Sequence, residues 1–405
     1  MSAGVDPALL GRVRDRLLGA GVPAGSAGPS GAALAAALRS EVGQLCGDTE
    51  LLGALDGVRR ELTGAGPLEA LLADPLTTDV LVNGPDSVWV DRGRGPERTG
   101  VRFRDEGAVR RLAVRLVAPT GRRLDDAHPY VDARLPDGTR LHAVLPPVAP
   151  GGTCLSLRVA RRDALTLDQL VERGALGPAG AAVLTALVTA RLALLVTGGT
   201  GTGKTTLLSA LLSRADPRER LVLVEDSGEL RPQHPHVVRL EARPANLEGA
   251  GAVGLTDLVR QALRMRPDRL VVGEVRGAEV VDLLLALNTG HEGGCATLHA
   301  NGAAEVPARL EALGGLAGLG RAALHSQAAA ALQAVVHLAR GGDGVRRVTE
   351  VRVAEARPDG TLQCTPALRL HPQGVEAVGG GAGRLAALCE ARGVALPPPV
   401  ARTGA

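Results

Sequence analysis

The sequence predicts an α/β protein: a doubly wound, mainly parallel sheet domain, preceded by a small α+β domain and an N-terminal helical segment. Three observations carry this. The apolar run Leu192–Thr197 leads into a glycine-rich turn, Gly198–Gly203, and then into a helix-periodic stretch from Lys204. Beyond it, short apolar runs alternate with helical patterns, as parallel strands with crossover helices require. Ahead of it, alternating runs are broken by hairpin-type turns. A chain of 405 residues suits two or three domains, and 45% apolar content is ample for their cores.

Residues 1–64 read as a helical extension, with apolar residues at helical spacing over Pro7–Leu18, Ala32–Leu45 and Thr49–Leu62 and a Gly/Ala/Pro/Ser-rich linker at 21–31. The α+β domain spans 65–160. A short helix, Pro67–Leu72, comes before strands Asp79–Asn83 and Ser87–Asp91, which flank Gly84-Pro85-Asp86. Thr99–Phe103 reads as another strand and Asp105–Val117 as an amphipathic helix. Strands Val131–Leu135 and Thr139–Leu145 flank the turn Pro136-Asp137-Gly138, and Cys154–Val159 closes the set. Pro146–Gly152 and Arg161–Leu165 read as joints, and 161–178 as the linker, with a helix capped near Thr166.

The second large domain, 179–372, is entered through a helix over Gly177–Ala190. Its expected strands are Ala193–Thr197, Leu221–Glu225, Val237–Leu240, Arg269–Gly273 and Gly294–Leu298. Its expected helices are Lys204–Arg214, Leu255–Arg264, Val280–Asn288 and Glu305–Leu313. Val335–Leu338, Val348–Val353 and Leu362–Leu370 read as a late antiparallel meander, and the Gly/Ala/Pro-rich residues 373–405 as a flexible tail.

The turn after Thr197 reads Gly198-Gly199-Thr200-Gly201-Thr202-Gly203-Lys204-Thr205-Thr206, which fits G-x-x-x-x-G-K-[ST]. Glycines let several backbone N–H groups converge on one phosphate chain, and the following helix N-terminus adds partial positive charge. Lys204 is expected to reach the β- and γ-phosphates of ATP, and the Thr205 hydroxyl to bind Mg²⁺. Lys204 is the only lysine; every other member of the 46 Lys and Arg residues is arginine. In a chain that uses arginine so widely, the one compact ammonium stands where a planar guanidinium would not serve.

Strand ends supply the partners. Leu221–Val224 ends in Glu225 and Asp226, with Glu229 close behind; such carboxylates beside the phosphate loop can hold Mg²⁺ or orient an attacking water. Arg269–Gly273 delivers Glu274, the natural candidate to polarise water and to hold the metal in part through water, with Arg276 following. The run Thr289–Asn301 delivers His299 to the same edge, where an imidazole can hydrogen-bond the γ-phosphate. Arg134, Arg140 and Arg158 lie on strands of the first domain and can supply guanidinium charge across a boundary.

Composition excludes several classes. A net charge of +3 gives no broad electrostatic footprint for nucleic acid, and only Trp89, Phe103 and Tyr130 are aromatic. Cys46, Cys154, Cys295, Cys364 and Cys389 form no C-x-x-C pair, so neither a disulfide framework nor a zinc site is expected. The first 30 residues carry Asp6, Arg12 and Arg14 and have no signal-peptide apolar region, and the apolar stretch near Ala181–Val196 is cut by Arg191. A cytoplasmic location is expected, at most peripheral at the inner face of the cell membrane.

The chain resembles the traffic ATPases of type II and type IV secretion systems, in particular the Flp (Tad) pilus-assembly branch with its conjugal transfer-associated members. The matching runs are GPLEALLADPLTTDVLVNGP (66–85), VDARLPDGTRLHAVLPP (131–147), LSLRVARRDALTLDQLV (155–171), TGGTGTGKTTLLSALL (197–212), LVEDSGEL (223–230), LRMRPDRLVVGEVRGAEV (263–280) and TGHEGGCATLHAN (289–301). The resemblance implies a RecA-like P-loop domain behind a PAS-like α+β domain. It places Glu274 on the Walker B glutamate, Glu229 on the family's acidic box and His299 in its histidine box. Gly273, in place of an aspartate, is usual there. Arg140 and Arg158 resemble arginines that reach the nucleotide from the N-terminal domain, although Val159-Ala160 depart from the family's basic-aromatic pair. A ring hexamer acting on an inner-membrane platform is implied as well. The expected activity is ATP hydrolysis powering pilus assembly or secretion. The alternatives are a DNA-translocating RecA-like motor in conjugation and a non-hydrolysing scaffold.

Overall fold

A computed structural model of the chain describes residues 12–13, 16–17, 31–42, 64–93, 95–159, 165–243, 245 and 250–398. The chain divides into two compact units, Met1–Arg161 and Arg162–Ala405. The helices expected over Pro7–Leu18 (in large part) and Thr49–Leu62, the linker at 21–31 apart from its last residue, and most of the joint at Arg161–Leu165 lie outside the described residues. Helix α1, Gly31–Val42, covers much of the expected Ala32–Leu45 and buries Leu34 and Leu38, one turn apart on one face.

The first unit continues with α2 (Glu69–Ala73), β1 (Asp79–Asn83), β2 (Val88–Asp91), β3 (Pro96–Arg98), α3 (Glu106–Val117), β4 (Tyr130–Arg134), β5 (Arg140–Val144) and β6 (Cys154–Arg158). The strands form one antiparallel sheet in the order β3-β2-β1-β6-β5-β4. Alternate residues point to one face, where Val80, Val90, Leu141 and Leu157 meet Val109, Leu112 and Val117 of α3. Asp105 starts α3 by accepting the Ala108 N–H at 2.7 Å. The β4–β5 turn is closed by Asp137, which accepts from the Thr139 N–H at 2.9 Å and hydroxyl at 3.0 Å.

Two expectations fail in this unit. Thr99–Phe103 is not a strand; the strand is Pro96–Arg98, and it ends where Thr99 turns its N–H and its hydroxyl onto the Val88 carbonyl. Val101 and Phe103 alternate like a strand because they pack into the core beneath, not because they pair. Pro146–Gly152 is no joint between domains either, since it links β5 to β6 inside one sheet.

The second unit holds α4 (Leu167–Glu172), α5 (Pro178–Thr189), β7 (Leu194–Gly198), α6 (Lys204–Leu212), β8 (Leu221–Glu225), β9 (Val237–Glu241), α7 (Leu255–Leu263), β10 (Arg269–Val275), α8 (Glu279–Asn288), β11 (Cys295–His299), α9 (Val306–Leu316), α10 (Arg321–Ala331), β12 (Ala334–Arg340), β13 (Arg346–Ala356), β14 (Leu362–His371), β15 (Gly374–Ala377) and α11 (Gly381–Glu390). Its sheet runs β15-β14-β13-β12-β7-β11-β10-β8-β9. From β12 to β9 every pairing is parallel, and β13–β15 add an antiparallel extension. Both faces are covered. Leu194 and Val196 join a core with α4, α5 and α6, while Leu195 between them joins one with α7, α8, α9 and α10. Burial on both faces is why these strands are unbroken apolar runs.

Helix α10 and strand β15 were not foreseen. The expected flexible tail at 373–405 begins instead with β15 and α11, whose Leu385 and Cys389, one turn apart, are buried in the first of those cores. Among the described residues, no helix is long and apolar enough to cross a membrane.

Candidate active site

The parallel strands point their C-terminal ends to one edge, where the phosphate loop, Glu274 and His299 come together. β7 ends at Gly198, paired across β11 with His299 and across β12 with Leu338. The Gly198 φ of 153° and its closeness to the Leu338 carbonyl, 2.5 Å from where a Cβ would stand, leave no room for a side chain. The loop then turns through Gly199, Thr200, Gly201, Thr202 and Gly203 into α6, which begins with Lys204, Thr205 and Thr206. Thr202 braces the loop by donating to the Gly199 carbonyl at 2.9 Å.

Lys204 is only 6% exposed. Its Nζ donates to the carbonyls of Gly198 at 3.1 Å and Gly199 at 2.9 Å. Burial lowers its pKa, with Glu274 pulling the other way. His299 stands beside it, with Nδ1 at 3.4 Å and Nε2 at 3.3 Å from Nζ. The same Nε2 lies 2.8 Å from Glu274 Oε1. Burial and then the Lys204 charge hold the imidazole below its usual pKa, with Glu274 pulling the other way. Nζ is nearly equidistant from the two ring nitrogens, and Nε2 is the ring atom that meets Glu274. Lys204, His299 and Glu274 thus stand in a row of close polar contacts.

Glu274 reaches this place through an irregularity. The β10–β11 register shifts between Val272 and Val275, which turns Glu274 toward the edge. The Thr297 hydroxyl accommodates the shift by donating to the Gly273 carbonyl at 2.6 Å. Burial alone would raise the Glu274 pKa; the Arg276 hydrogen bond and the charges of Arg276, His299 and Lys204 outweigh it and lower the pKa. Arg276 Nη2 donates to Glu274 Oε2, and its Nη1 lies 3.8 Å from Asp226. The turn carrying Arg276 is tied down by Glu279, whose buried Oε1 accepts the N–H groups of Arg276 and Gly277. Neither contact was foreseen. The signal was there in Glu279, three residues after Arg276 at a helix start, the spacing at which a carboxylate reaches back to cap.

Glu225 does not line the edge as expected. It is 3% exposed, and its Oε1 accepts the N–H groups of Glu229 and Leu230, both at 2.9 Å. Burial raises its pKa to about 7. Asp226 and Glu229 are the exposed members of the acidic run, and the charge of Glu229 is felt at Lys204 and Arg276. In the first unit, Arg140 and Arg158 are cross-strand neighbours on β5 and β6, and Arg158 pairs with Asp79 of β1 at 3.1 Å.

The donor set fits Mg²⁺. The half-buried Thr205 hydroxyl and the Glu274 carboxylate are hard oxygen donors beside a phosphate loop. Among the described residues, no group of three or more His, Cys, Asp or Glu side chains could hold a metal ion by itself.

Comparison with known proteins shows the family. The family model described as "Type II/IV secretion system protein" matches residues 61–375. A putative conjugal transfer protein of Mycobacterium tuberculosis is 62% identical over 315 residues, covering 76% of this chain and 90% of that protein. The type IV secretion system protein PtlH of Bordetella pertussis is 36% identical over 255 residues, covering 55% of this chain and 72% of its own. The X-ray structure of the Yersinia pseudotuberculosis ATPase DotB, at 17% identity, superposes with a TM-score of 0.52 over 71% of this chain and 77% of that one, a likeness of fold. The chain therefore belongs to the type II/IV secretion system protein family, as a P-loop ATP hydrolase of RecA-like fold.

Proposed function

We propose that the chain is a cytoplasmic motor ATPase that turns ATP into ADP and phosphate to drive assembly of a Flp/Tad-type pilus, or secretion, through an inner-membrane platform. The observation that carries this reading is the row of close polar contacts from Lys204 through His299 to Glu274. Lys204 and the loop N–H groups from Gly199 to Thr206 bind the β- and γ-phosphates. Glu274 orients the attacking water and takes its proton. His299, in contact with both, senses whether the γ-phosphate is present. Glu229 adds carboxylate charge at the same edge. Bound Mg²⁺, held by Thr205 and partly through water by Glu274, would neutralise phosphate charge. Arg140 and Arg158 add guanidinium charge at the transferring phosphoryl group from the N-terminal domain of a ring hexamer. The protein sits in the cytoplasm, at most peripheral at the membrane.

Glu274→Gln tests the core of this. The variant binds ATP in a nucleotide-binding assay and loses most hydrolysis; near wild-type turnover would refute the assignment. Mass photometry with ATP tests the hexamer, and a persistent monomer counts against it. Arg140→Ala and Arg158→Ala should lower turnover without changing the fold.

A second reading has one observation of its own, because the Mycobacterium tuberculosis relative is named a putative conjugal transfer protein. In that reading the ATPase moves DNA. Severalfold stimulation of turnover by DNA, lost on adding salt, would put it first; the +3 net charge and the scarcity of aromatics favour the pilus and secretion reading.

A further inference from the structure

Glu225 and Gly273 face one another at the ends of neighbouring strands, just past the last registered pair of β8 and β10, Val224 and Val272. A Cβ built on Gly273 would lie 2.6 Å from Glu225 Cγ and 3.1 Å from its Oε1. The Gly273 backbone is not left-handed, so clearance and not conformation calls for glycine there. The space is filled by a side chain that reaches no solvent. Its Oε1 holds the Glu229 and Leu230 N–H groups, and its Oε2 is buried with no hydrogen-bond partner among the described residues. One oxygen thus closes the turn at 226–230 from inside. Leu230 is pinned in the core beneath the turn, while Asp226 and Glu229 stand outside it. Asp226 faces Arg276, and the charge of Glu229 reaches Lys204.

We infer that Glu225 is a positioning residue and not a catalytic one: the Glu225–Gly273 pair fixes the acidic turn, and so aims Asp226 and Glu229 at the phosphate site. Gly273, which looks like a missing metal ligand, is the clearance that lets Glu225 do this. The inference rests on the ATPase reading only where turnover is measured.

The test uses the full chain, with Glu225→Ala, Glu225→Gln, Gly273→Ala and the double Ala variant. Two readouts are taken: amide hydrogen exchange at Glu229 and Leu230 without nucleotide, and kcat and KM for ATP. Glu225→Gln keeps an acceptor oxygen and the shape, so both amides stay slow and kcat stays within about threefold. Glu225→Ala speeds both amides by about tenfold or more and lowers kcat by about tenfold, with KM changed less. Gly273→Ala does the same alone but adds little in the Glu225→Ala background, a non-additivity expected only of touching residues.

If Glu225→Gln loses turnover as fully as Glu225→Ala while its amides stay slow, the carboxylate takes part in the chemistry and the inference falls. Additive single effects would also overturn it. Should Glu225→Ala not fold, Gly273→Ala must by itself speed the two amides; unchanged exchange there refutes the pairing. A wild-type chain that hydrolyses no ATP would sink the ATPase reading, while the exchange experiment still decides this one.

Discussion

Strands β8 and β10 lie side by side, and their two ends treat charge in opposite ways. At the N-terminal ends, Arg269 is 1% exposed and its guanidinium is bound to the Glu219 carboxylate and, at 2.8 Å, to the Val188 carbonyl. Glu219 also accepts from Arg191 at 2.9 Å, and Arg191 goes on to the Asp268 carbonyl at 2.9 Å. At the C-terminal ends, Glu225 keeps a buried oxygen without a partner among the described residues, and Lys204 rests on carbonyls of its own loop. The first arrangement resists change, since two guanidinium groups converge on one buried carboxylate and are completed by backbone carbonyls. The second leaves groups whose bonds a ligand can replace. Buried charge paired with opposite charge marks the scaffold, although Arg191 Nε is left without a partner among the described residues, and charge resting on replaceable neutral groups marks the working edge.

The largest expected effect tests the scaffold end. Glu219→Ala strands a buried guanidinium and should cost about 3–5 kcal/mol of stability, read from denaturant unfolding. Turnover per folded molecule should hardly change; a large fall in kcat with stability intact would erase the contrast.

Next is the pH response of Glu225. Its folded pKa of about 7 exceeds the ordinary 4.5, so the folded state holds this proton more tightly than the unfolded chain does. The resulting stability is fully present below pH 4.5 and is lost as pH rises to about 7, a change of about 3 kcal/mol. Urea titrations of wild type and Glu225→Gln across that window should diverge by this amount, and parallel curves would refute it.

The neighbouring carboxylate should behave differently. Glu274→Gln is expected to lower kcat about 100-fold, or about 2.7 kcal/mol, with little change in unfolding. A stability loss as great as that of Glu219→Ala would make it scaffold after all. The smallest effect is at His299, where His299→Ala should lower kcat about tenfold while ATP affinity stays within about threefold. A loss confined to affinity would remove it from the sensing role.

Much of this edge was legible because parallel strands are apolar throughout and end abruptly in polar residues. Leu221–Val224 stops at Glu225, and the apolar stretch through Ala296–Leu298 stops at His299. Direction was not legible. Glu225 and Glu274 both follow apolar runs, yet one continues a regular strand and points inward, while the other follows a register shift that turns it out. A one-residue shift reverses facing, and nothing in local composition announces it. Thr99–Phe103 misled for a related reason, because alternation records burial and not pairing. In the Gly/Ala-rich end of the chain, Leu385 and Cys389 are the sparse mark of a packed helix amid residues that usually signal mobility.

The self-held ammonium of Lys204 has a consequence for how ATP arrives. In water a lysine head group is strongly hydrated, and stripping that shell opposes any contact it makes. Here the shell was already removed when the loop folded, and two carbonyls and an imidazole took its place. An incoming triphosphate therefore trades one set of polar partners for another. The step resembles substitution at a dry site more than capture from solution, and the dehydration of the only lysine belongs to folding and not to the encounter.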